Sequence, residues 1–488
     1  MPAKSPRTLT TIGLGAVLLL AAVMLLGRAM DAPLDRDESM YVSAAVLARS
    51  AALYAEVPFL QMPGLPWLLA AFLPAPGEGP LLLCARLLTV GCAIAMLLAL
   101  VGIARRRGAS PWFGVALAVL LAVQPTFLAA ADEATNHLPP LAAATVAVWL
   151  LAGTQRSRRD TISAGVLLGL AVALRLTWAP VVLATWIVFG LVTRERTSVA
   201  WIGGGGLLVA LPVLVAASAA PDAFAFQNLG FHAVNRSWAI DTGLPWALGR
   251  RALFDALVDL AQQRAVLAWL LALGVTAAIT RWTRQRLIVA LLVGAALAVA
   301  SALPSPWWAR HALPLIGGLT VLAALASPRE LPHPRIVGGL LLIASASGIL
   351  AQGGTHAEAV ARAFEPSSWS ARIFHEQCQL LRKAAPEGPI TSLRPLVLLE
   401  AGLEIDPTSV AGPFVWRTRA HLDPTQVEAA RGAQGVLDLE PAPAGVLLGV
   451  EPRYEGNVRG ELEAAGFEAV GEGPDGAELW APIKSSSS

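Results

Sequence analysis

Long apolar runs are the feature that most constrains the fold of this chain. Of its 488 residues, 55% are hydrophobic and 14% are charged, which is more apolar surface than a soluble domain can bury. The apolar residues form runs of roughly 17 to 24, and a helix of that length crosses a hydrocarbon core about 30 Å thick. The sequence therefore predicts an all-α bundle of membrane-spanning helices, solvated by membrane lipids, and no barrel.

The runs predict about eleven transmembrane helices. No small-residue cleavage site follows the first run, which we interpret as an uncleaved span. Around Arg175 the apolar pattern is interrupted and Pro180 follows, which is compatible with two helices or with one kinked helix beside a short one. The predicted spans are residues 9–29, 81–104, 112–131, 138–154, 161–176, 178–193, 199–220, 265–280, 287–303, 311–327 and 336–352.

Alternate loops between these spans are rich in arginine, as at 105–107, 156–159 and 194–196. Such loops stay in the cytoplasm, so the N terminus is expected on that side. The composition, rich in alanine and arginine, favours a bacterial inner (plasma) membrane. The segments that then face outward are 31–80, 132–137, 221–264, 304–310 and everything after 353.

From about residue 353 the composition becomes that of a soluble chain. Helical and strand patterns alternate here. The predicted helices are 391–402, 426–437 and 457–466, and the predicted strands are 444–450 and 467–470. We therefore predict three parts: a transmembrane module over 1–352, a periplasmic α/β domain over 353–484 and a disordered tail over 485–488.

Several classes of function are disfavoured. The net charge is only +2, and the basic residues are concentrated in short loops, so no face is suited to nucleic acid. The three cysteines form neither a disulfide framework nor a zinc spacing. The run Gly203–Gly206 lies inside a span and lacks the lysine of a phosphate-binding loop, so we interpret it as a site of close helix packing. We expect no nucleotide or redox cofactor.

Acidic residues cluster in two of the outward segments. Asp35, Asp37 and Glu38 follow the first span, and Asp132 and Glu133 follow the third. Neighbouring carboxylates at a membrane surface raise one another's pKa or bind a cation. If the two loops converge over one cavity, they supply a general base and oxygen ligands for Mg²⁺ or Mn²⁺. The alternative is that these acids are only helix caps and solvated helix ends.

The first outward loop carries a specific pattern. Arg36–Tyr41 (RDESMY) is followed by the aromatic and proline-rich segment Gln61–Leu68 (QMPGLPWL), and the second acidic loop follows further on. Over about residues 10–327 this arrangement resembles the GT-C superfamily of membrane glycosyltransferases, in particular the protein O-mannosyltransferase and aminoarabinose (lipid A) transferase type. The resemblance is sharpest at the RDESMY segment. It implies a glycosyltransferase that takes a sugar from a polyprenyl-phosphate donor and passes it to an acceptor hydroxyl.

The resemblance also implies roles for the acids. In that family the first-loop acid activates the acceptor nucleophile, which carries over to Asp37, with Glu38 beside it. The second-loop acid assists acceptor or metal binding, which carries over to Asp132 and, less directly, to Glu133. A divalent cation would be held by Asp37, Asp132 and Glu133. A single displacement then predicts inversion at the anomeric carbon.

The leaving phosphate needs cationic donors near these acids. Arginine suits the task because its guanidinium pairs with phosphate oxygens and stays charged. Interfacial tryptophans, a packed loop histidine and a snorkelling arginine are the alternative interpretations of the same residues. The candidates are Arg310 and His311 after Trp307 and Trp308, then His232 and Arg236, which share one helical face with Trp238 close by, and finally Arg175.

Two other classes of function stay open. In a transporter or flippase, Asp37, Asp132 and Arg175 would form a coupling relay, but these acids lie in outward loops and the chain has no matching halves with broken helices. An inactive relative that acts as a scaffold is the second alternative. The sugar and the acceptor, whether glycan, lipid or protein, are left open. The C-terminal domain is expected to recognise the acceptor or to dock a partner.

Overall fold

The computed structural model describes most of the chain. Parts of the predicted last span, of two loops predicted to face outward and of the predicted C-terminal domain lie outside it, as do Trp307, Trp308 and the tail. The described residues are 6–153, 156–243, 264–279, 283–304, 309–326, 341, 344–346, 354–431, 443–449, 455 and 458–483.

Helices dominate the first two thirds of the chain, as predicted. In the described residues, four helices are long and apolar enough to cross a membrane, or five if one bent pair counts as a span. The predicted number of about eleven therefore stays a prediction. The long helices are α1 (Pro6–Asp31), α4 (Leu81–Arg106), α10 (Arg196–Ala219) and α14 (Arg284–Ala302). The shorter ones are α2 (Arg36–Leu47), α3 (Gly64–Ala70), α5 (Pro111–Ala122), α6 (Pro125–Ala131), α7 (Leu138–Leu151), α8 (Arg158–Leu174), α9 (Ala179–Ile187), α11 (Pro221–Ala225), α12 (Phe231–Asp241), α13 (Arg264–Ile279) and α15 (Leu313–Ala326).

The predicted span 112–131 is broken into two helices. Helices α5 and α6 meet at an angle of 75°. Pro125 begins α6 and lacks a backbone N–H, and it holds Gln124 in an extended conformation with ψ 129°. The expectation of one continuous helix was wrong here. Helix α6 runs in a different direction from α5, and Asp132 is the residue directly after its last one.

The interruption at Arg175 separates two helices. Helix α8 ends at Leu174, and Arg175 is extended with φ −159° and ψ 115°. A short 3-10 turn, Leu176–Trp178, leads into α9, where Pro180 sits in the first turn and its missing N–H removes no helical bond. Of the two arrangements that the sequence allowed, the chain adopts the one with two helices.

The glycine run in α10 is a packing surface, as predicted. A Cβ on Gly205 would lie 2.3 Å from the backbone oxygen of Ile162, and one on Gly165 would lie 2.2 Å from that of Ile202. Helices α8 and α10 therefore cross with their backbones in near contact, which only residues without a side chain allow.

The arginine-rich loops meet at one end of the bundle. Arg156 pairs with Glu195 at 2.5 Å, and Arg107 donates to the backbone oxygen of Leu325 at 3.2 Å. The opposite end carries α2, α3 and the turn 132–137. This grouping agrees with the charge asymmetry of the sequence, and the assignment of the two ends to membrane faces stays a prediction.

The C-terminal part combines short helices with one sheet of order β1-β2-β4-β3. Strands β1 and β2 are parallel and the other pairs are antiparallel. Its strands are β1 (Ile390–Ser392), β2 (Gly445–Leu448), β3 (Phe467–Glu472) and β4 (Glu478–Pro482). Its helices are α16 (Thr355–Ala363), α17 (Ser370–Leu381), α18 (Pro395–Glu400), α19 (Pro413–Thr418), α20 (Pro424–Ala430) and α21 (Val458–Ala464).

The α/β character of this region was predicted, with two differences in detail. The expected helix 391–402 is a strand at its start and becomes helical only at Pro395, which favours the first turn of a helix. Strand β4 was missed, although it lies between β2 and β3 in the sheet. The predicted helix 426–437 begins at Pro424 after the capping residue Asp423, and its second half lies outside the described residues.

Candidate active site

The acidic segment after α1 folds as the start of α2. The side chain of Asp35 accepts from the backbone N–H of Asp37 at 2.8 Å, and the backbone N–H of Asp35 donates to Glu38 at 3.1 Å. The side chain of Asp35 also accepts from the backbone N–H of Glu38, so Asp35 and Glu38 form a capping box. Asp35 is thus a helix cap, while Asp37 and Glu38 are presented by the first turn of the helix.

Glu38 forms a buried ion pair with Arg86 of α4, and neither side chain is exposed. The two arginine–carboxylate distances are 2.9 and 2.7 Å, and the backbone N–H of Ala134 also donates to Glu38, at 2.7 Å. The remaining donors of Arg86 reach the backbone oxygens of Ala29, Ala32 and Pro33. Glu38 therefore ties the first acidic loop to the second, with its charge fully compensated.

Asp37 and Glu133 converge on one guanidinium group. Arg310 donates to Asp37 at 3.1 Å and to Glu133 at 2.6 Å. The three side chains retain 24, 22 and 21% exposure for Asp37, Glu133 and Arg310. The two acidic loops thus meet over one site, and the guanidinium of Arg310 lies between them.

Burial makes both of these acids more basic than usual. It raises the pKa of Asp37, although the nearby Arg310 acts in the opposite direction. It raises the pKa of Glu133 to about 8, and the charge of Asp35 adds to this increase. A carboxylate with a raised pKa is a stronger base than an ordinary aspartate, and it therefore accepts a proton from a donor more readily.

Asp132 lies beside this site and is held by another arginine. Arg28, in the last turn of α1, donates to both of its carboxylate oxygens at 3.1 and 2.6 Å. Burial raises the pKa of Asp132, and the hydrogen bond and charge of Arg28 oppose that increase. Asp132 therefore joins the end of α6 to the end of α1.

The candidate phosphate ligands fall into two groups. Arg175 is buried and its guanidinium contacts Nδ1 of His137, whose ring lies 5.4 Å from that of His311. His232 is part of the same neighbourhood, since burial and then the charge of Arg175 lower its pKa. Arg236 shares helix α12 with His232, as predicted, but its side chain is exposed.

Neither the family models nor the curated proteins give a match to this chain. Among solved structures, ArnT from Cupriavidus metallidurans bound to undecaprenyl phosphate superposes with a TM-score of 0.60 over 98% of this chain and 99% of that one, at 15% identity. Its apo state gives a TM-score of 0.61 at 14% identity with the same coverage. The chain has the fold of ArnT. The GT-C resemblance read from the sequence is thereby confirmed at the level of the fold.

A further solved structure is similar over a smaller part of its own length. The archaeal oligosaccharyltransferase AglB from Archaeoglobus fulgidus, in complex with an inhibitory peptide and a dolichol-phosphate, has a TM-score of 0.47 at 13% identity, over 97% of this chain and 75% of that one.

In this ArnT-like fold the predicted cation ligands are already paired with arginines. Asp37 and Glu133 share Arg310, and Asp132 is held by Arg28. Across the described residues, no three His, Cys, Asp or Glu side chains are grouped as metal ligands. The donor set as it stands therefore does not fit a divalent cation, because a cation bound by all three carboxylates would have to displace both Arg310 and Arg28.

Sequence reasoning missed three residues of the site. Arg86 was a lone charge inside an apolar run, which is itself a signal of function or pairing. His137 is the last residue of the second acidic loop and was given no role. Arg417 of α19 is near enough to lower the pKa of Asp37 by its charge, and it donates to Asn235 at 2.7 Å and stacks on Trp238. No pattern in the sequence indicated that Arg417 lies at the site.

Proposed function

We propose that this protein is an integral membrane glycosyltransferase that moves a sugar from a polyprenyl-phosphate donor to an acceptor hydroxyl at the outer (periplasmic) face of the membrane. The observation that carries the proposal is the convergence of Asp37 and Glu133 on Arg310 at one end of an ArnT-like bundle. Support for the donor comes from the ArnT structure, which was solved with undecaprenyl phosphate bound.

In the proposed reaction Asp37 is the general base. Its basicity is increased by burial, and Arg310 keeps it ionised and fixed in place. The acceptor hydroxyl transfers its proton to Asp37 as its oxygen forms a bond to the anomeric carbon. The bond from that carbon to the phosphate oxygen breaks, and the electron pair leaves with the phosphate. One displacement inverts the configuration of the sugar.

The negative charge that develops on the leaving phosphate is proposed to be stabilised by the buried Arg175 and the histidines beside it. Arg175 supplies a fixed positive charge, and His137, His232 and His311 surround it. Burial and the charge of Arg175 lower the pKa of His137, so its ring is neutral and adds a polar contact without a second charge. Preorganised donors of this kind stabilise a departing anion strongly in a site with little water.

Glu38 and Asp132 are proposed to act through their neighbours. Glu38 pairs with Arg86 and Asp132 with Arg28, so each holds a loop in position beside Asp37. The same assignment leaves the divalent cation out of every step, because the carboxylates that would bind it are occupied by arginine.

The C-terminal domain is proposed to take part in acceptor recognition. Arg417 reaches from this domain to α12 and lies within electrostatic range of Asp37. Its guanidinium also stacks on Trp238 at 4.3 Å and on Phe414 at 4.9 Å. An acceptor approaching Asp37 would therefore meet both the membrane module and the domain above it.

The test is transfer of labelled sugar from a panel of polyprenyl-phosphate sugars, pentoses and aminosugars included, to envelope extracts by the purified full chain. Asp37→Asn is expected to bind donor and to lose transfer, while the matched variant Asp31→Asn, half-exposed at the end of α1, keeps it. A chelator arm tests the predicted cation. If neither the wild type nor Asp37→Asn binds donor, the transferase proposal is rejected, and transport or scaffolding is favoured.

A further inference from the structure

We propose that helix α18 of the C-terminal domain positions Asp37 for catalysis by holding α2 against the start of α4. The inference rests on the proposed function, since it assigns Asp37 as the base. The two ends of α18 contact two different elements of the membrane module, α2 and α4, and each of these contacts lies close in the structure to the catalytic acid.

The C-terminal end of α18 caps a membrane helix. Glu400 is fully buried and accepts hydrogen bonds from the backbone N–H groups of Leu81 and Leu82 at 3.0 and 3.2 Å. These are the first two residues of α4, and the preceding Pro80 provides no side-chain cap. The start of a helix has unpaired N–H groups and a partial positive charge, so a carboxylate from another domain is a strong partner there.

Glu400 is also fixed from within its own domain. His375 of α17 contacts its carboxylate at 2.7 Å through Nδ1, and Gln379 donates to its backbone oxygen at 2.7 Å. The thiols of Cys84 and Cys378, on the adjoining helices, lie within range of its charge. The position of Glu400 is therefore set by α17, and Glu400 in turn sets the start of α4.

The other end of α18 touches the helix that carries the base. The backbone N–H of Leu396 donates to the hydroxyl of Ser39 at 3.4 Å. Ser39 follows Asp37 by two residues in the same turn of α2. A displacement of α18 is thus passed directly to the first turn of α2.

Helix α4 supplies the second path to the base. Arg86 lies one turn beyond Leu82 on α4, and it holds Glu38, the residue next to Asp37, by two hydrogen bonds. A rotation or shift at the start of α4 would move this guanidinium and, with it, the first turn of α2. Both paths from α18 therefore end at the same turn.

The contact around Glu400 is tight at the level of the backbone. Gly77, in the loop before α4, and Gly402, just after α18, both have φ +73°, and a Cβ on either would lie 2.9 Å from the Cα of the other. Such a conformation and such an approach both require glycine. The backbone of the domain and the backbone of the loop are therefore in direct contact at Gly77 and Gly402.

The test compares the full-chain variants Glu400→Gln and Glu404→Gln in the transfer assay. Glu404 is exposed four residues later and serves as the matched control. For Glu400→Gln we expect an unchanged donor KM and a kcat lower by about tenfold to hundredfold, since small misplacements of a reacting group have effects of that size. The acidic limb of the kcat profile is expected to move to higher pH, because a displaced Asp37 is less well paired with Arg310. Among the described residues, the other titratable or charged groups that interact with Asp37 are Asp35, Tyr41, Glu133, Arg175 and Arg417.

A second variant tests the same contact if Glu400→Gln folds poorly. Gly402→Ala removes no side chain of the site and alters only the backbone contact with Gly77, and it is expected to show the same loss of kcat. If both variants retain wild-type kcat and the wild-type acidic limb, α18 is only a tether and the inference is wrong. Failure of the proposed function looks different, because wild type would then transfer no sugar or Asp37→Asn would remain active.

Discussion

Arg310 lies 3.1 Å from the carboxylate of Asp37, and its second terminal nitrogen is held by Glu133 at 2.6 Å. The two acids come from loops that are almost one hundred residues apart in the chain, so the guanidinium closes the site between them. The single positive charge of Arg310 is thus shared between the carboxylates of Asp37 and Glu133. This arrangement makes the protonation of Asp37 depend on Arg310.

The pH dependence of transfer is the first consequence. Burial raises the pKa of Asp37 and Arg310 lowers it. In Arg310→Gln the lowering is lost, the pKa of Asp37 rises further, and the ionised base forms only at higher pH. We expect transfer at neutral pH to fall by about tenfold or more and the acidic limb of the profile to move to higher pH.

The control for this experiment is Arg362→Gln, which removes an arginine from an exposed pair with Glu365. Its pH profile should follow that of wild type. An acidic limb that does not move in Arg310→Gln would contradict the assignment of Asp37 as the base whose protonation limits the rate.

The buried pair of Glu38 and Arg86 predicts a large effect on stability. Arg86→Met leaves the carboxylate of Glu38 buried without its cation, and the loss of one partner of a buried pair costs about 3–5 kcal/mol. The exposed pair Arg372 and Glu376 on α17 is the matched comparison, because breaking such a pair costs about 0.5 kcal/mol or less. Thermal unfolding in detergent measures both. Equal effects of Arg86→Met and Arg372→Met would contradict the structural role given to Glu38.

The two adjacent glycines of α10 give a prediction about packing. A Cβ on Gly205 would collide with the backbone of α8, whereas one on Gly204 meets nothing within 4 Å. Gly205→Ala is therefore expected to destabilise the protein by about 1–3 kcal/mol, and Gly204→Ala to be neutral or slightly stabilising. Unfolding temperature and the yield of monodisperse protein report the difference. Similar losses in both variants would mean that α8 and α10 are not in contact.

Local patterns predicted the parts of this fold that depend on neighbouring residues. The apolar runs gave the helices, and the acidic segment Arg36–Tyr41 indicated the site, because its residues act from one helical turn. The 75° bend before Pro125 was missed, since a proline is compatible with a kink or a break and only the packing around it decides. Strand β4 was missed because its pairing with β2 and β3, and not a pattern in its own sequence, determines that this segment is a strand.

The partners of the site residues could not be predicted from the sequence. Arg86 is 48 residues from Glu38, Arg310 is 273 residues from Asp37, and Glu400 is 319 residues from Leu81. No periodicity records contacts at such separations. The sequence identified acids and cations as candidates of the same site, and the fold decided which acid faces which cation.

The last prediction separates the two candidate groups of phosphate ligands. Arg175 is buried against His137, whereas Arg236 is exposed on α12. A buried guanidinium that has lost its water gains more from a phosphate than an exposed one, by about 1.5–3 kcal/mol for a charged hydrogen bond. Arg175→Gln should therefore weaken the binding of undecaprenyl phosphate by about tenfold or more, and Arg236→Gln should weaken it much less. Equilibrium binding to each variant in detergent, with wild type alongside, measures this. If Arg236→Gln has the larger effect, the phosphate binds beside α12 and the group around Arg175 has another role.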